Sequence, residues 1–458
     1  MSLVPLAPPA ITATARQRGR LGVAFGERML VLWLVGLVLC IPVIWNRSFL
    51  YAVALWDAVL LLAWVADLLT LPKPGQISVE RRWLHALSLG ASGRVSLRLE
   101  NTSGSAIRGF LTDETPLTLR DTPPKLSFSL PAHSEMQTEY AIHPRQRGNL
   151  TIGRIHLRYS GVLRLAERWA VADLNQEVRV YPDFEQAQKQ AIYLTRSRQI
   201  EKEQRQIRLR GQGREFESLR DYREGDEFRD ICWTATARRA KLVTKVHQIE
   251  RSQPVWVVLD SGRLMRARTD GFTKLDHAVN GALCLAQLAL FSGDRIGMLA
   301  YGRKVTQRIA PGRGAAHLRY IIEQLSQVHD ELPEADHLRA ASSLLTAQKR
   351  RSLIVWITDL AETSMTPEVV EAASRMLSRH LLLFVLIGQP DLMNAAAGRP
   401  KNAEDMYRAV AAQEMVYRRD LLLGRLRERG ALAVEVAPKH LTATILNQYL
   451  SVKERMLL

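Results

Sequence analysis

Between Gly211 and Lys245 the chain mixes acids (Glu215, Glu217, Asp221, Glu224, Asp226, Asp230) with bases (Arg214, Arg220, Arg223, Arg229, Arg238, Arg239) around Phe216, Tyr222 and Trp233. If helical, this run would hold a favourable pair four apart, Arg220 and Glu224, and a like-charge pair, Asp226 and Asp230, so surface pairing along one helix does not account for it. Two chemistries fit. One is an ion-pair network fastening the segment to the domain that follows. The other is a docking surface, where Arg and aromatic anchors dominate binding, and its candidate residues are Arg220, Tyr222, Asp226, Arg229, Trp233 and Arg238. The segment leads into an apolar run, Pro254 to Leu259, that ends on Asp260 and Ser261, while Asp359 follows a second run, Leu353 to Thr358. In open α/β sheets ligands collect at the carboxyl ends of strands, and neighbouring strand ends would bring both aspartates to one rim.

Other chemistries lack their residues. There is no Gly-x-Ser-x-Gly elbow, no HExxH, no GxGxxG after a strand and no GxxxxGK[ST], and Cys232 and Cys284 sit in apolar or alanine-rich surroundings. The chain is not expected to be an enzyme or to bind nucleotides by the usual loops.

Periodicity places these residues on elements. Apolar strands at 255–259, 295–300, 353–358, 381–387 and 433–436 alternate with helical stretches around 273–291, 315–328, 366–379 and 403–430. That rhythm predicts a doubly wound α/β domain over 251–458, with a mostly parallel sheet covered on both faces. Upstream, period-two segments starting at Val95, Leu126, Thr138, Ile155 and Val178 predict a small antiparallel β-sandwich over 73–182. Residues 183–250 form a charged connector, and its basic cluster (Arg205, Arg208, Arg210, Arg214) lacks interleaved aromatics, so nucleic acid is not the expected partner.

The N-terminus carries two apolar runs, 17 uncharged residues from Met29 to Trp45 and a second from Phe49 to Leu71 interrupted by Asp57 and Asp67. Each is long enough to cross a hydrocarbon core of about 30 Å, which predicts a transmembrane helical hairpin over 29–72 that contacts lipid. Arg16, Arg18, Arg20 and Arg28 precede it, Lys73, Arg81 and Arg82 follow it, and the turn holds only Arg47. This bias places residues 1–28, as a tail, and all soluble domains in the cytoplasm. Asp57 is an intramembrane carboxylate and hence a functional-site candidate; the alternatives are helix pairing, an oligomer contact or a contact from Arg47. Asp67, near the interface, needs no special role. The 458 residues carry a net charge of +17 and three cysteines without CxxC spacing, consistent with a positive-inside membrane protein in a reducing compartment.

Asp260 and Asp359 resemble part of a von Willebrand factor A domain, whose metal-ion-dependent adhesion site uses Asp-x-Ser-x-Ser after the first strand, a Thr from another loop and an Asp after a later strand. Here the serine positions hold Gly262 and Leu264, and the loop expected to supply threonine reads Pro311-Gly-Arg-Gly-Ala315. The resemblance implies a degenerate Mg²⁺ site on Asp260 and Asp359, with a hydroxyl of Ser261 or Thr358 substituting. Otherwise the aspartates cap helices or pair with Arg263. The run Glu215 to Arg238 is in turn similar to the signature of bacterial domain-of-unknown-function family fifty-eight. The hairpin, the Arg147-Gly148 turn before Gly161-Val-Leu, Val180-Tyr181-Pro182, and Pro438 with Tyr449-Leu450 extend the likeness over nearly the whole chain. That likeness implies a von Willebrand A-like cytoplasmic domain at the bacterial inner membrane, partnered by a MoxR-type AAA+ ATPase acting on a client protein. The expected function is therefore a membrane-anchored adaptor for assembly, activation or quality control of that client, with a Mg²⁺-dependent ligand receptor as the alternative.

Overall fold

The computed structural model describes residues 7–19, 22–38, 40–183, 215–223, 228, 231–248, 253–360, 367–455 and 457, in two units divided after Asp183. The first begins with β1 (Ile11–Gln17) and β2 (Val23–Phe25), then the hairpin helices α1 (Glu27–Val38) and α2 (Phe49–Thr70). Ten strands follow: β3 (Ile77–Trp83), β4 (Leu87–Ser88), β5 (Gly93–Asn101), β6 (Ile107–Asp113), β7 (Lys125–Leu130), β8 (Ser134–Ile142), β9 (Gly148–Ile152), β10 (Ile155–Ser160), β11 (Ala166–Ala172) and β12 (Gln176–Tyr181). The large sheet runs β7-β6-β10-β11-β1-β3-β5-β8, β2 adds to β11, and a second sheet runs β4-β12-β9. The five expected strands are all present, as β5, β7, β8, β10 and β12.

Residues 1–28 are not a mere tail. Ile11 to Thr14 pair with β3 and Ala15 to Gln17 with β11, so β1 joins the two halves of the large sheet. The hairpin is an insertion in this sheet domain. The first apolar run is also not one continuous α-helix. Pro42 has no N–H to donate and its ring crowds the carbonyl four residues back, so α1 ends at Val38 and the chain continues through a 3₁₀ turn, Ile41–Ile44. Helix α2 has 22 residues, about 33 Å at 1.5 Å per residue. Only 12% and 6% of the two apolar windows is buried. A soluble core helix would hide such side chains, so these exposed apolar surfaces mark a membrane-associated chain. The helices approach where Gly36 admits the Trp56 ring, whose Nε1 donates to the Leu32 carbonyl at 3.3 Å.

Asp67 is a structural clamp rather than a bystander. It is buried, and one carboxylate oxygen accepts the N–H groups of Leu165 (2.8 Å) and Ala166 (2.9 Å) at the start of β11. Gly26 N–H donates to the Leu165 carbonyl at 2.8 Å. Both helix roots are thereby bonded to one segment of the sheet domain.

The second unit opens with β13 (Glu215–Asp221), α3 (Trp233–Arg239) and β14 (Val243–Gln248), the strands pairing antiparallel. It continues with β15 (Pro254–Asp260), the short β16 (Arg268–Thr269) and β17 (Phe272–Thr273), α4 (Lys274–Phe291), β18 (Arg295–Tyr301) and β19 (Val305–Gly312). Then come α5 (Gly314–Ser326), α6 (His337–Ala347), β20 (Leu353–Thr358), α7 (Pro367–Leu377), β21 (Leu381–Ile387), α8 (Pro390–Ala397), α9 (Ala403–Glu428), β22 (Leu432–Val436) and α10 (Leu441–Glu454). The sheet order is β19-β18-β15-β20-β21-β22, parallel except for β19 at one edge. Trp256, Val258, Trp356 and Phe384 pack under α6, α7 and α9, and α4, packed with α10, covers the other face, as the alternating pattern of continuous apolar strands requires.

Candidate functional site

The parallel register sets Leu259 beside Ile357, so the next residues, Asp260 and Thr358, meet at the carboxyl rim. Thr358 Oγ1 donates to Asp260 Oδ2 at 2.5 Å and Gly262 N–H donates to Oδ1 at 2.7 Å. Burial nevertheless dominates and pushes the Asp260 carboxyl up to about 7, against those two hydrogen bonds and with smaller upward contributions from Asp359 and Glu331. Ser261 faces β18 instead, its hydroxyl donating to the Tyr301 carbonyl at 2.9 Å. It is not turned toward the aspartates. Among the described residues, Arg263 bonds Glu334 at 3.0 Å rather than either aspartate, the alternative that the sequence left open.

Asp359 is neutralised from within. Its Oδ2 pairs with the Lys274 ammonium, and its Oδ1 lies 3.3 Å from Arg419 Nη1, an ion contact without hydrogen-bond alignment. Lys274 and Arg419 side chains are 1% and 2% exposed. Arg419 Nη2 also reaches the Ile387 carbonyl (2.9 Å) and Glu435 Oε1 (3.0 Å). Burial raises Glu435 while Arg419 opposes the rise. Lys274 is delivered by a capping box at the start of α4: Thr273 Oγ1 accepts from Asp276 N–H at 3.0 Å, and Asp276 Oδ2 accepts from Thr273 N–H at 2.9 Å.

A divalent ion does not fit these residues. Lys274 and Arg419 fill the cation's place on Asp359, and no group of three or more His, Cys, Asp or Glu is arranged for a metal among the described residues. The loop expected to supply threonine is at the wrong end of the sheet: β19 carries the chain back so that Gly312 pairs with Ile296 at the start of β18, away from Tyr301 and Asp260. Beneath the rim, Trp356 Nε1 donates to Tyr301 Oη (2.7 Å), which lies 2.8 Å from His337 Nδ1. Burial holds His337 down to about 4 and Tyr301 well above its ordinary value, so the tyrosine donates to a neutral imidazole.

Sequence reasoning missed Lys274, Arg419, Glu435, Tyr301 and His337. For Lys274 a signal existed, the Thr-x-x-Asp capping spacing at 273–276. Arg419 lies among the many charges of α9 and had none.

In the signature, Arg220 lies on β13 and not on a helix, its Nη1 reaching the Asp221 carbonyl at 3.3 Å; Glu224 lies outside the described residues. Tyr222 is half-buried, with its ring 6.3 Å from that of Phe228. Phe228 and Trp233 are 76% and 66% exposed, and Arg238 is exposed on α3 with Trp233. Cys232 N–H donates to the Val243 carbonyl at 2.8 Å and Val243 N–H to Thr236 Oγ1 at 3.1 Å, tying α3 to β14. Asp226, Arg229 and, beyond Asp183, the expected helix or loop over 183–210 with its basic cluster lie outside the described residues. Asp57 is exposed on α2, whereas its neighbours Trp56 and Leu60 face α1, and it has no partner, Arg47 included, among the described residues.

Residues 218–394 match the family described as Protein of unknown function DUF58, which bears out the family resemblance. "Uncharacterized protein YeaD" of Bacillus subtilis (strain 168) is 24% identical over 202 residues, covering 42% of this chain and 46% of its own length, so the match spans less than half of that relative. Among solved structures, a conserved hypothetical protein BatB from Bacteroides thetaiotaomicron is similar over 44% of this chain and 100% of its own (14% identity, TM-score 0.30). An aerotolerance-related membrane protein from Bacteroides fragilis NCTC 9343 is similar over 43% and 96% (15% identity, TM-score 0.29). Likeness at these TM-scores carries no inference.

Proposed function

We propose, from the premise that residues 218–394 match the DUF58 family, that this chain is a membrane-anchored adaptor, not an enzyme, which holds a MoxR-type AAA+ ATPase and presents a client protein to it. The observation that carries the reading is the exposure of Phe228, and of Trp233 and Arg238 on a short helix tied to β14. Large aromatics and arginines exposed to water are the residue types that dominate protein interfaces. The parallel sheet with carboxylates at its rim supports a von Willebrand A-like reading of the second unit. The sheet domain supports the topology: β1 and β2 precede the hairpin and β3 follows it, so both ends of the hairpin leave from one side of the membrane. The arginine and lysine bias makes that side the cytoplasm.

Crosslinking and pull-down of the full-length protein from native membranes, with and without EDTA, tests this. A MoxR-type ATPase recovered from wild type, retained after chelation and lost from Trp233→Ala and Arg238→Glu is the expected result. Absence of that ATPase, or its release by EDTA, would refute the adaptor.

A further inference from the structure

The loop Gly161–Arg164 joins β10 to β11 and exposes Val162 (76%) and Leu163 (52%) side by side. Its place is fixed by both hairpin roots. Arg164, at φ 60 in the left-handed region, has its carbonyl against Gly26, where an added Cβ would come within 2.1 Å. The next two N–H groups, of Leu165 and Ala166, end on Asp67, and Arg28 Nη1 reaches the Leu163 carbonyl at 3.4 Å. Two apolar tips are therefore held at the level where α1 and α2 leave the sheet domain. Phe25, Trp33 and Trp64 cluster at the same roots, with ring centroids 4.6 and 5.0 Å from Phe25, the residue type and position of an interfacial aromatic belt.

Beside the loop is a cavity of about 250 Å³ lined by Arg108, Arg158, Arg164, Glu27, Glu167 and Phe110, among others. Arg158 is paired with Glu167 at 2.6 Å, whereas Arg108 and Arg164 have no carboxylate partner among the described residues. Apolar tips at the boundary, with guanidiniums just above them, match the two halves of a phospholipid. We propose that Gly161–Arg164 is a lipid-inserting loop: Val162 and Leu163 enter the boundary between acyl chains and headgroups, and Arg164 with Arg108 receives the phosphate of an anionic phospholipid. This rests on the hairpin crossing the bilayer.

The full-length protein, with Cys40, Cys232 and Cys284 replaced by serine, is reconstituted into nanodiscs of phosphatidylcholine with or without phosphatidylglycerol. An environment-sensitive fluorophore is placed at Val162→Cys, at Leu62→Cys in α2 as the membrane standard, and at Asp121→Cys between β6 and β7 as the aqueous standard. Quenching by lipid-borne quenchers at positions 162 and 62, and not at 121, is expected. Near an anionic surface each basic residue is worth about fivefold in partitioning, so Arg108→Gln/Arg164→Gln should retain on the order of 25-fold less phosphatidylglycerol on purification, and Arg145→Gln as much as wild type. A probe at 162 that stays as wet as the one at 121 while 62 is quenched would overturn the loop and spare the hairpin. Loss of quenching at 62 would overturn both. Displacement of phosphatidylglycerol by inorganic phosphate alone would assign the arginines to a soluble anion and overturn the lipid site.

Discussion

Replacing Lys274 by Met keeps an unbranched side chain one atom shorter and removes the ammonium that neutralises Asp359. The pair is buried on both sides, at 1% and 2% exposure, so water cannot compensate the remaining carboxylate. Arg419 is 3.3 Å from the other oxygen and is already shared with Glu435 and the Ile387 carbonyl. Breaking a buried pair from one side costs about 3–5 kcal/mol, whereas Lys274→Met/Asp359→Asn, which removes both charges, should recover most of that loss. Unfolding of a chain with two units is not two-state, so the assay is hydrogen exchange of peptides from β15, β20 and β21 in the reconstituted full-length protein. At 1.36 kcal/mol per factor of ten, protection in the single variant should fall by roughly 10² to 10³ or more. Magnesium should leave wild type unchanged. If instead it protects wild type, where about 2.7 kcal/mol is expected at a hundredfold excess over Kd, and EDTA reverses the gain, then the ammonium is not the cation of this rim. A cost in the single variant of under about 1 kcal/mol would equally refute the buried-pair account.

Removing the Asp67 carboxylate (Asp67→Ala) strands the N–H groups of Leu165 and Ala166, and should cost about 2–3 kcal/mol, read as faster exchange of those two amides. His337 is neutral in the fold down to about pH 4 but titrates near 6.5 when unfolded, so its stabilising contribution is complete above 6.5 and is lost as pH falls toward 4, by about 3 kcal/mol. Asp260, raised to about 7, acts oppositely, stabilising at low pH and losing that contribution as pH rises from its unfolded value through 7. The His337 effect is therefore read as the difference between wild type and His337→Gln across pH 4–7; parallel stability curves would refute it. Phe228→Ser and Trp233→Ser should leave exchange protection in β15 and β20 unchanged, because both side chains are exposed, while abolishing ATPase capture; loss of protection would make them packing residues.

Each expected strand and helix of the second unit appears within a few residues of its predicted place, because continuous apolar runs and 3.6-residue periods are local signals. The strands β1 and β2 escaped because Ile11-Thr-Ala-Thr-Ala carries small, weakly patterned side chains whose partners, β3 and β11, lie beyond the inserted hairpin. The edge strand β19 likewise escaped, since its end at Pro311 and Gly312 runs into turn residues that read equally well as a loop, although the helix that follows was expected in its place.

From sequence alone came the family signature, the apolar hairpin, the order of strands and helices, and the meeting of Asp260 and Asp359 at one rim, all consequences of residue type repeated at short spacing. The tertiary structure decided what those carboxylates are. Lys274, 85 positions before Asp359, and Arg419 on a later helix converge on it, and since a charge's state depends on burial and on its nearest counter-charge, only the assembled fold could turn a candidate metal ligand into one half of a buried ion pair.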